Sequence, residues 1–153
     1  MISPEKFMKI AYEISLESYC EKRKVGALIV KDNSIISVGY NGSPSGFSNI
    51  CELKTFEPRT VINSDSSITT PVSVLKTLPE VLHAESNAIL KLARSTSSSE
   101  EADIYVTTAP CIECAKLIIQ AGIIRVYYAD EYKNKDGLEL LNRAKILTFK
   151  IEL

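Results

Sequence analysis

The sequence predicts an α/β protein: a three-layer α/β/α sandwich on a mixed five-stranded sheet, with residues 1–153 forming a single domain. Three observations predict it. Short runs rich in β-branched residues alternate with stretches of helical apolar spacing, a tight turn joins the first two runs, and each later run follows a helix. A hairpin followed by helix-linked strands makes a sheet that is largely parallel after its first pair.

Each element has a local reason. Ser3 and Pro4 are start signals, and Phe7, Ile10, Ala11 and Ile14 fall at helical spacing, so a helix runs to a point before Cys20. Val25–Val30 reads as a buried strand, Asp32-Asn33-Ser34 as a turn and Ile35–Tyr40 as the hairpin partner. From Asn41 to Leu82 periodicity fades, and an irregular inserted segment is expected at about 53–82. So long a segment is functional or carries small elements of its own. Order returns at His83 with a helix through Ala84, Ala88, Ile89, Leu92 and Ala93, stopped by the serine run Ser95–Ser99. A strand around Ile104 and Val106 precedes a helix from Pro110 to Ala121, which Gly122 ends. Ile124–Ala129, Gly137–Ala144 and Ile146–Ile151 complete the alternation as strand, helix and strand.

Composition narrows the function. The chain has 153 residues, 45% hydrophobic and 24% charged, with a net charge of −1, which suits a globular core and excludes a disordered chain. No apolar run approaches the ~20 residues that span a bilayer, and the N-terminus carries no export pattern. Interspersed acids and bases leave no electrostatic footprint for a long nucleic acid, so small molecules are the expected partners, in the cytoplasm. Four cysteines and one histidine remain to be explained. In a reducing compartment the cysteines read as thiols or metal ligands rather than as disulfides.

His83-Ala84-Glu85 opens one helix, and Pro110-Cys111-Ile112-Glu113-Cys114 opens another. A C-x-x-C at a helix start places two sulfurs on one turn, where the positive helix end favours thiolate. His83 supplies a third ligand, and three protein ligands leave zinc one open position, the mark of a catalytic site. Zinc lowers the pKa of bound water from about 16 to roughly 7. Glu85, two residues from His83, approaches from another side as a proton-carrying carboxylate rather than as a ligand. Alone, C-x-x-C also describes a redox pair or buried thiols, and H-x-E a solvated helix start. Together, with Pro before the first Cys, they match a zinc deaminase signature.

The chain resembles the deoxycytidylate (dCMP) deaminases, of phage and bacterial type. The resemblance lies in Val25–Val30, Gly39-Tyr40-Asn41-Gly42-Ser43-Pro44-Ser45-Gly46, His83–Ile89 and Tyr105–Tyr128, covering most of the chain except about 53–82. It implies hydrolysis of dCMP to dUMP and ammonia for thymidylate synthesis, with His83, Cys111 and Cys114 on zinc and Glu85 as the proton shuttle. Asn41 matches a position that meets the sugar, and also makes a turn with Gly42. Lys22 or Arg23 would serve the 5′-phosphate, and Tyr128 would pack on the base or in the core. The resemblance further implies a homohexamer, activation by dCTP with Mg2+ and inhibition by dTTP. Gly42, Ser43, Gly46 and Arg94 are the candidate effector residues.

Some phage-type members hold a second, structural zinc through cysteines matching Cys20 and Cys51 and two histidines of the inserted segment. That segment has no histidine here, so such a site cannot form. Two free buried thiols are expected instead, ahead of a site completed by an oxygen ligand such as Asp65. Two other functions compete with dCMP deamination. One is deamination of a different cytosine or adenine substrate, tRNA included. The other is a non-catalytic zinc-stabilised nucleotide-binding subunit, which has no use for Glu85.

Overall fold

Helix α1 (Pro4–Ser15) starts at its sequence signals, with Ser3 as N-cap accepting from the Lys6 amide at 3.4 Å and Pro4 in the first turn. The computed structural model describes residues 1–153. After α1 come β1 (Gly26–Lys31) and β2 (Ser34–Tyr40), then β3 (Glu52–Ile62) and β4 (Ser67–Thr77). Helix α2 (Ala84–Ala93), β5 (Asp103–Thr108), α3 (Ile112–Gln120), β6 (Arg125–Asp130), α4 (Asp136–Arg143) and β7 (Leu147–Lys150) complete the chain. The β1–β2 turn places Asp32 and Asn33 at φ of 48° and 59°, the left-handed pair that a two-residue hairpin requires.

The five-stranded sheet has the order β2-β1-β5-β6-β7, with β5, β6 and β7 parallel. Parallel pairing does not begin directly after the hairpin: β1 is antiparallel to both β2 and β5. The reason is the crossover. The chain leaves β2, passes through α2 and enters β5 on the far side of β1, so β5 runs parallel to β2 and opposite to the strand between them.

Side-chain alternation divides the core between the two faces of the sheet. Leu28, Val30 and Tyr105 pack with Phe7, Met8 and Ala11 of α1. Ala27, Ile29, Ile104, Val106 and Val126 pack with Ala84, Ala88, Ala115, Ile118 and Leu141 of the three other helices. This is the predicted three-layer α/β/α sandwich, with one helix on one face and three on the other.

Helix α2, which carries the H-x-E motif, lies unusually close to β2. A Cβ at Gly39 would run into the Ala84 carbonyl and the Ala88 amide. Ser37 Oγ donates to the Ala88 carbonyl at 2.7 Å, Asn87 Nδ2 to Tyr40 O at 2.7 Å, and Lys91 Nζ to Val38 O at 2.7 Å.

Two expectations need correction. The segment at 53–82 is not irregular: β3 and β4, of 11 residues each, pair in register from Glu52↔Thr77 to Ile62↔Ser67 as a hairpin separate from the main sheet. Its signal was hidden because both faces are largely exposed, so no alternation of apolar and polar residues marks it. Second, Cys20 and Cys51 are not free thiols but a disulfide, with Cα atoms 5.1 Å apart. The start of β3 returns beneath the loop after α1 and brings the two buried cysteines together across 31 residues.

Gly39→Ala should lower the unfolding free energy by about 1–3 kcal/mol, because α2 must lift from the sheet to admit a methyl group. Gly42→Ala, where an added Cβ meets nothing within 4 Å, should change it by less than about 0.5 kcal/mol. Urea denaturation of the two variants provides the measurement.

Candidate metal centre and active site

Both motif-bearing helices begin at the same end of the sheet, and in each the first motif residue is the N-cap. His83 caps α2 and Cys111 caps α3, both with extended backbone and neither with a side-chain hydrogen bond to its own helix. Cap side chains therefore point off the helix ends rather than back along them. Cys114 is three residues past its cap, the spacing at which a cap and the third residue after it reach each other at a helix start, as in a capping box. C-x-x-C uses this local geometry to converge two sulfurs.

His83 Nδ1 lies 3.4 Å from Cys111 Sγ and 3.3 Å from Cys114 Sγ. A tetrahedral zinc with Zn–S near 2.3 Å and Zn–N of 2.0–2.1 Å requires N···S separations of about 3.5 Å. The imidazole nitrogen already stands close to that spacing from both sulfurs, and all three ligand atoms lie within 4.8 Å of one another. The residues fit the ion in number, chemistry and separation.

The electrostatics suit the same occupant. Cys111 is pushed down to about 3, chiefly by hydrogen bonds from Cys114 and His83, so it carries the thiolate. Cys114 is pushed up by its hydrogen bond to Cys111 and by burial. The pair thus shares one proton, which an ion would displace. His83 is raised by its hydrogen bond to Cys111.

Glu85 is only 4% exposed, and burial raises its pKa to about 7. A carboxyl poised near neutrality both accepts and returns a proton. Gly137 backs the site from the start of α4: a Cβ there would strike the Pro110 and Cys111 carbonyls. In the sequence that glycine looked like an ordinary residue at a helix start.

His83, Glu85 and Cys111 line a cavity of about 600 Å³ together with Lys22, Arg23, Asn41, Glu52, Thr108, Tyr132 and Lys133. Its size suits a small organic ligand. Asn41 Oδ1 accepts from the Val25 amide and Nδ2 donates to the Arg23 carbonyl, both at 2.8 Å. One donor and one acceptor of the amide stay free. Arg23 lies 4.0 Å from Asp130, whereas Lys22 and Lys133 form no ion pair.

The other candidates lie elsewhere. Tyr128 is two residues inside β6 and packs on the core, not in the cavity; Tyr132, four residues on, lines it instead. Gly42 cannot cradle a phosphate with its amide, which donates to Leu82 O at 3.0 Å while its carbonyl accepts from Leu82 N at 2.9 Å. Ser43 Oγ donates to Ile50 O at 3.2 Å, and Gly46 sits exposed at φ 89°. Arg94 caps the far end of α2, about 16 Å along the helix from His83, so the structure does not bring it to the Gly42–Gly46 loop within one chain. Glu52, Thr108, Glu131, Tyr132 and Lys133 were missed, because nothing local in the sequence places them on a shared cavity.

Residues 1–130 match the family model for the cytidine and deoxycytidylate deaminase zinc-binding region. The deoxycytidylate deaminase of Enterobacteria phage T4 is 38% identical over 168 aligned residues, covering 94% of this chain and 87% of that protein. ComE operon protein 2 of Bacillus subtilis (strain 168) is 37% identical, covering 96% and 70%. A crystal structure of the dCMP deaminase from cyanophage S-TIM5 in complex with dCMP and dUMP superposes with a TM-score of 0.81 at 38% identity, covering 99% of this chain and all of that one.

The buried carboxyl has a consequence for metal-free protein. Glu85 ionises near its ordinary 4.5 when unfolded but only near 7 when folded, so unfolding releases a proton that the folded chain keeps. Stability from this group is full below about pH 4.5 and falls as pH rises through 7, by roughly 3 kcal/mol. Glu85→Gln should remove this loss. In urea titrations of the chelated protein, the variant's advantage over wild type should grow between pH 5 and 7.5.

Proposed function

Because this chain belongs to the cytidine and deoxycytidylate deaminase family, we propose that it hydrolyses dCMP to dUMP and ammonia in the cavity around Glu85. The observation that carries this reading is a buried carboxyl beside a His/Cys/Cys donor set, on a cavity with unpaired cations at its rim. His83, Cys111 and Cys114 would hold zinc. When bound, the ion supplies the acidified water that adds to C4 of the cytosine ring.

The remaining work falls to the chain. Glu85 takes a proton from the attacking water, places it on N3, and delivers the next to the departing amino group. Its burial keeps bulk water from competing for those protons. The α2 and α3 N-termini face the reacting atoms with their positive ends and favour the anionic nucleophile. Asn41 offers its free donor and acceptor to the sugar hydroxyl. Lys22, which has no counter-ion, meets the 5′-phosphate with Arg23 as its neighbour, and Lys133 adds a third positive charge.

The same reading includes assembly as a homohexamer and control by dCTP with Mg2+ and by dTTP. Its support is the family's chemistry and the loop that carries a part-buried Ser43 and an exposed Gly46. With Arg94 a helix length away, an effector site using both draws them from different chains.

Glu85→Ala should abolish dUMP release from dCMP, at least a hundredfold, while about one zinc per chain is retained; metal analysis beside the rate assay distinguishes chemistry from folding. His83→Ala should lose zinc and activity together, since the chain has no other histidine to replace it. A panel of dCMP, CMP, dCTP, deoxycytidine and a tRNA anticodon stem-loop should show turnover concentrated on dCMP. Preferential turnover of the RNA would overturn the assignment.

A further inference from the structure

We propose that Glu52 is a positioning residue for the cation-bearing wall of the cavity. With the Cys20–Cys51 bridge it holds the Lys22–Arg23 backbone in register with the 5′-phosphate of the substrate. The inference rests on the reading of Lys22 and Arg23 given above.

The chain between α1 and β1 belongs to no strand or helix, yet it presents two of the cavity's cations. Its amides at Glu21 and Lys22 find no backbone carbonyl. Both donate instead to the Glu52 carboxylate, Glu21 N to Oε2 at 3.2 Å and Lys22 N to Oε1 at 3.1 Å. Each oxygen takes one amide, so the carboxylate grips two successive residues at once. On the other side of the cations, Asn41 holds the Arg23 carbonyl and the Val25 amide. Lys22 and Arg23 therefore sit between two side-chain clamps, one from the start of β3 and one from the end of β2.

The disulfide makes the first clamp double. Cys20 precedes Glu21, and Cys51 precedes Glu52, so the covalent bridge and the bidentate hydrogen bonds form adjacent rungs between the same two segments. Charge points the same way. A free carboxylate on the wall of a phosphate site would repel the ligand, whereas one committed to two amides has much of its charge satisfied. Cys20, Cys51 and Glu52 cluster apart from His83, Cys111 and Cys114, so their effect should fall on the phosphate and not on the chemistry.

Zinc-loaded protein provides the test, with dUMP and deoxyuridine as probes in isothermal titration calorimetry. The ratio of their dissociation constants isolates the phosphate. Wild type should bind dUMP more tightly; equal affinities would overturn the Lys22–Arg23 reading beneath the proposal. Given that preference, Glu52→Ala should reduce the ratio about tenfold, as expected for losing hydrogen bonds to a charged acceptor, while zinc content and deoxyuridine affinity hold. Glu52→Gln, which keeps an acceptor oxygen, should retain most of the preference. The Cys20→Ser/Cys51→Ser double variant should reduce it in the same direction and keeps the test available if Glu52→Ala fails to fold. With dCMP as substrate, KM should rise about tenfold in Glu52→Ala with kcat within twofold. An unchanged ratio, or equal weakening of both probes, would overturn the positioning role.

Discussion

Everything in this molecule depends on two helix N-termini meeting at one end of the sheet with their cap positions given over to ligands. A helix start leaves amides unpaired, and a Ser, Thr or Asp ordinarily satisfies one of them. Here His83 and Cys111 occupy those positions and satisfy none. The foregone capping is of order 1 kcal/mol per helix. In exchange, Nδ1 and the two sulfurs stand at 3.3–3.4 Å, close to the spacing of a tetrahedral ion. Only an occupant that binds all three offsets that cost, so the site stabilises the fold as well as serving chemistry.

Such convergence needs helices placed to within a fraction of an ångström, and small residues achieve it. Gly39 lets α2 lie on β2, Ala84 and Ala88 flatten the helix face, and Gly137 lets α4 close against the Cys111 turn. The hydrogen bonds from Ser37, Asn87 and Lys91 set the position of α2 along and across the strand, which apolar contact alone would leave free to slide. Glu85 is buried because α2 is seated so deeply. Its raised pKa follows chiefly from that seating, since burial is the largest cause, with the neighbouring Cys111 acting in the same direction.

How much of this is legible in sequence depends on how local the cause is. The helices and main-sheet strands announce themselves through periodicity, and the donor set through spacing, because a cap and its third residue are neighbours in sequence as in space. Glu85 is legible for the same reason. The β3–β4 hairpin is not, since a ribbon exposed on both faces has no apolar alternation, and only pairing between distant residues defines it. The disulfide is half legible: the resemblance brings Cys20 and Cys51 to one site, but the residues between them give no sign that the sulfurs bond to each other. Tyr128 shows a subtler limit. Its aromatic character is consistent with stacking on a base, but strand phase decides which way it faces, and phase turns it to the core while Tyr132 in the following loop reaches the cavity.

The cavity wall opposite the metal centre follows a different logic from the centre itself. The ligands ride on regular helices, where backbone geometry fixes their separation. The cations ride on a loop, which has no ladder to fix it and has higher intrinsic freedom. A phosphate binds a loop tightly only when the ordering cost has already been met by the fold. Here that role falls to side chains: Asn41 on one flank, Glu52 and the disulfide on the other. It also explains why the hairpin can project without disturbing the site. Its base, not its length, meets the cavity: the start of β3 contributes Glu52 to the wall, Cys51 just before it is bridged to Cys20, and Leu53 through Ile62 extend away, largely exposed.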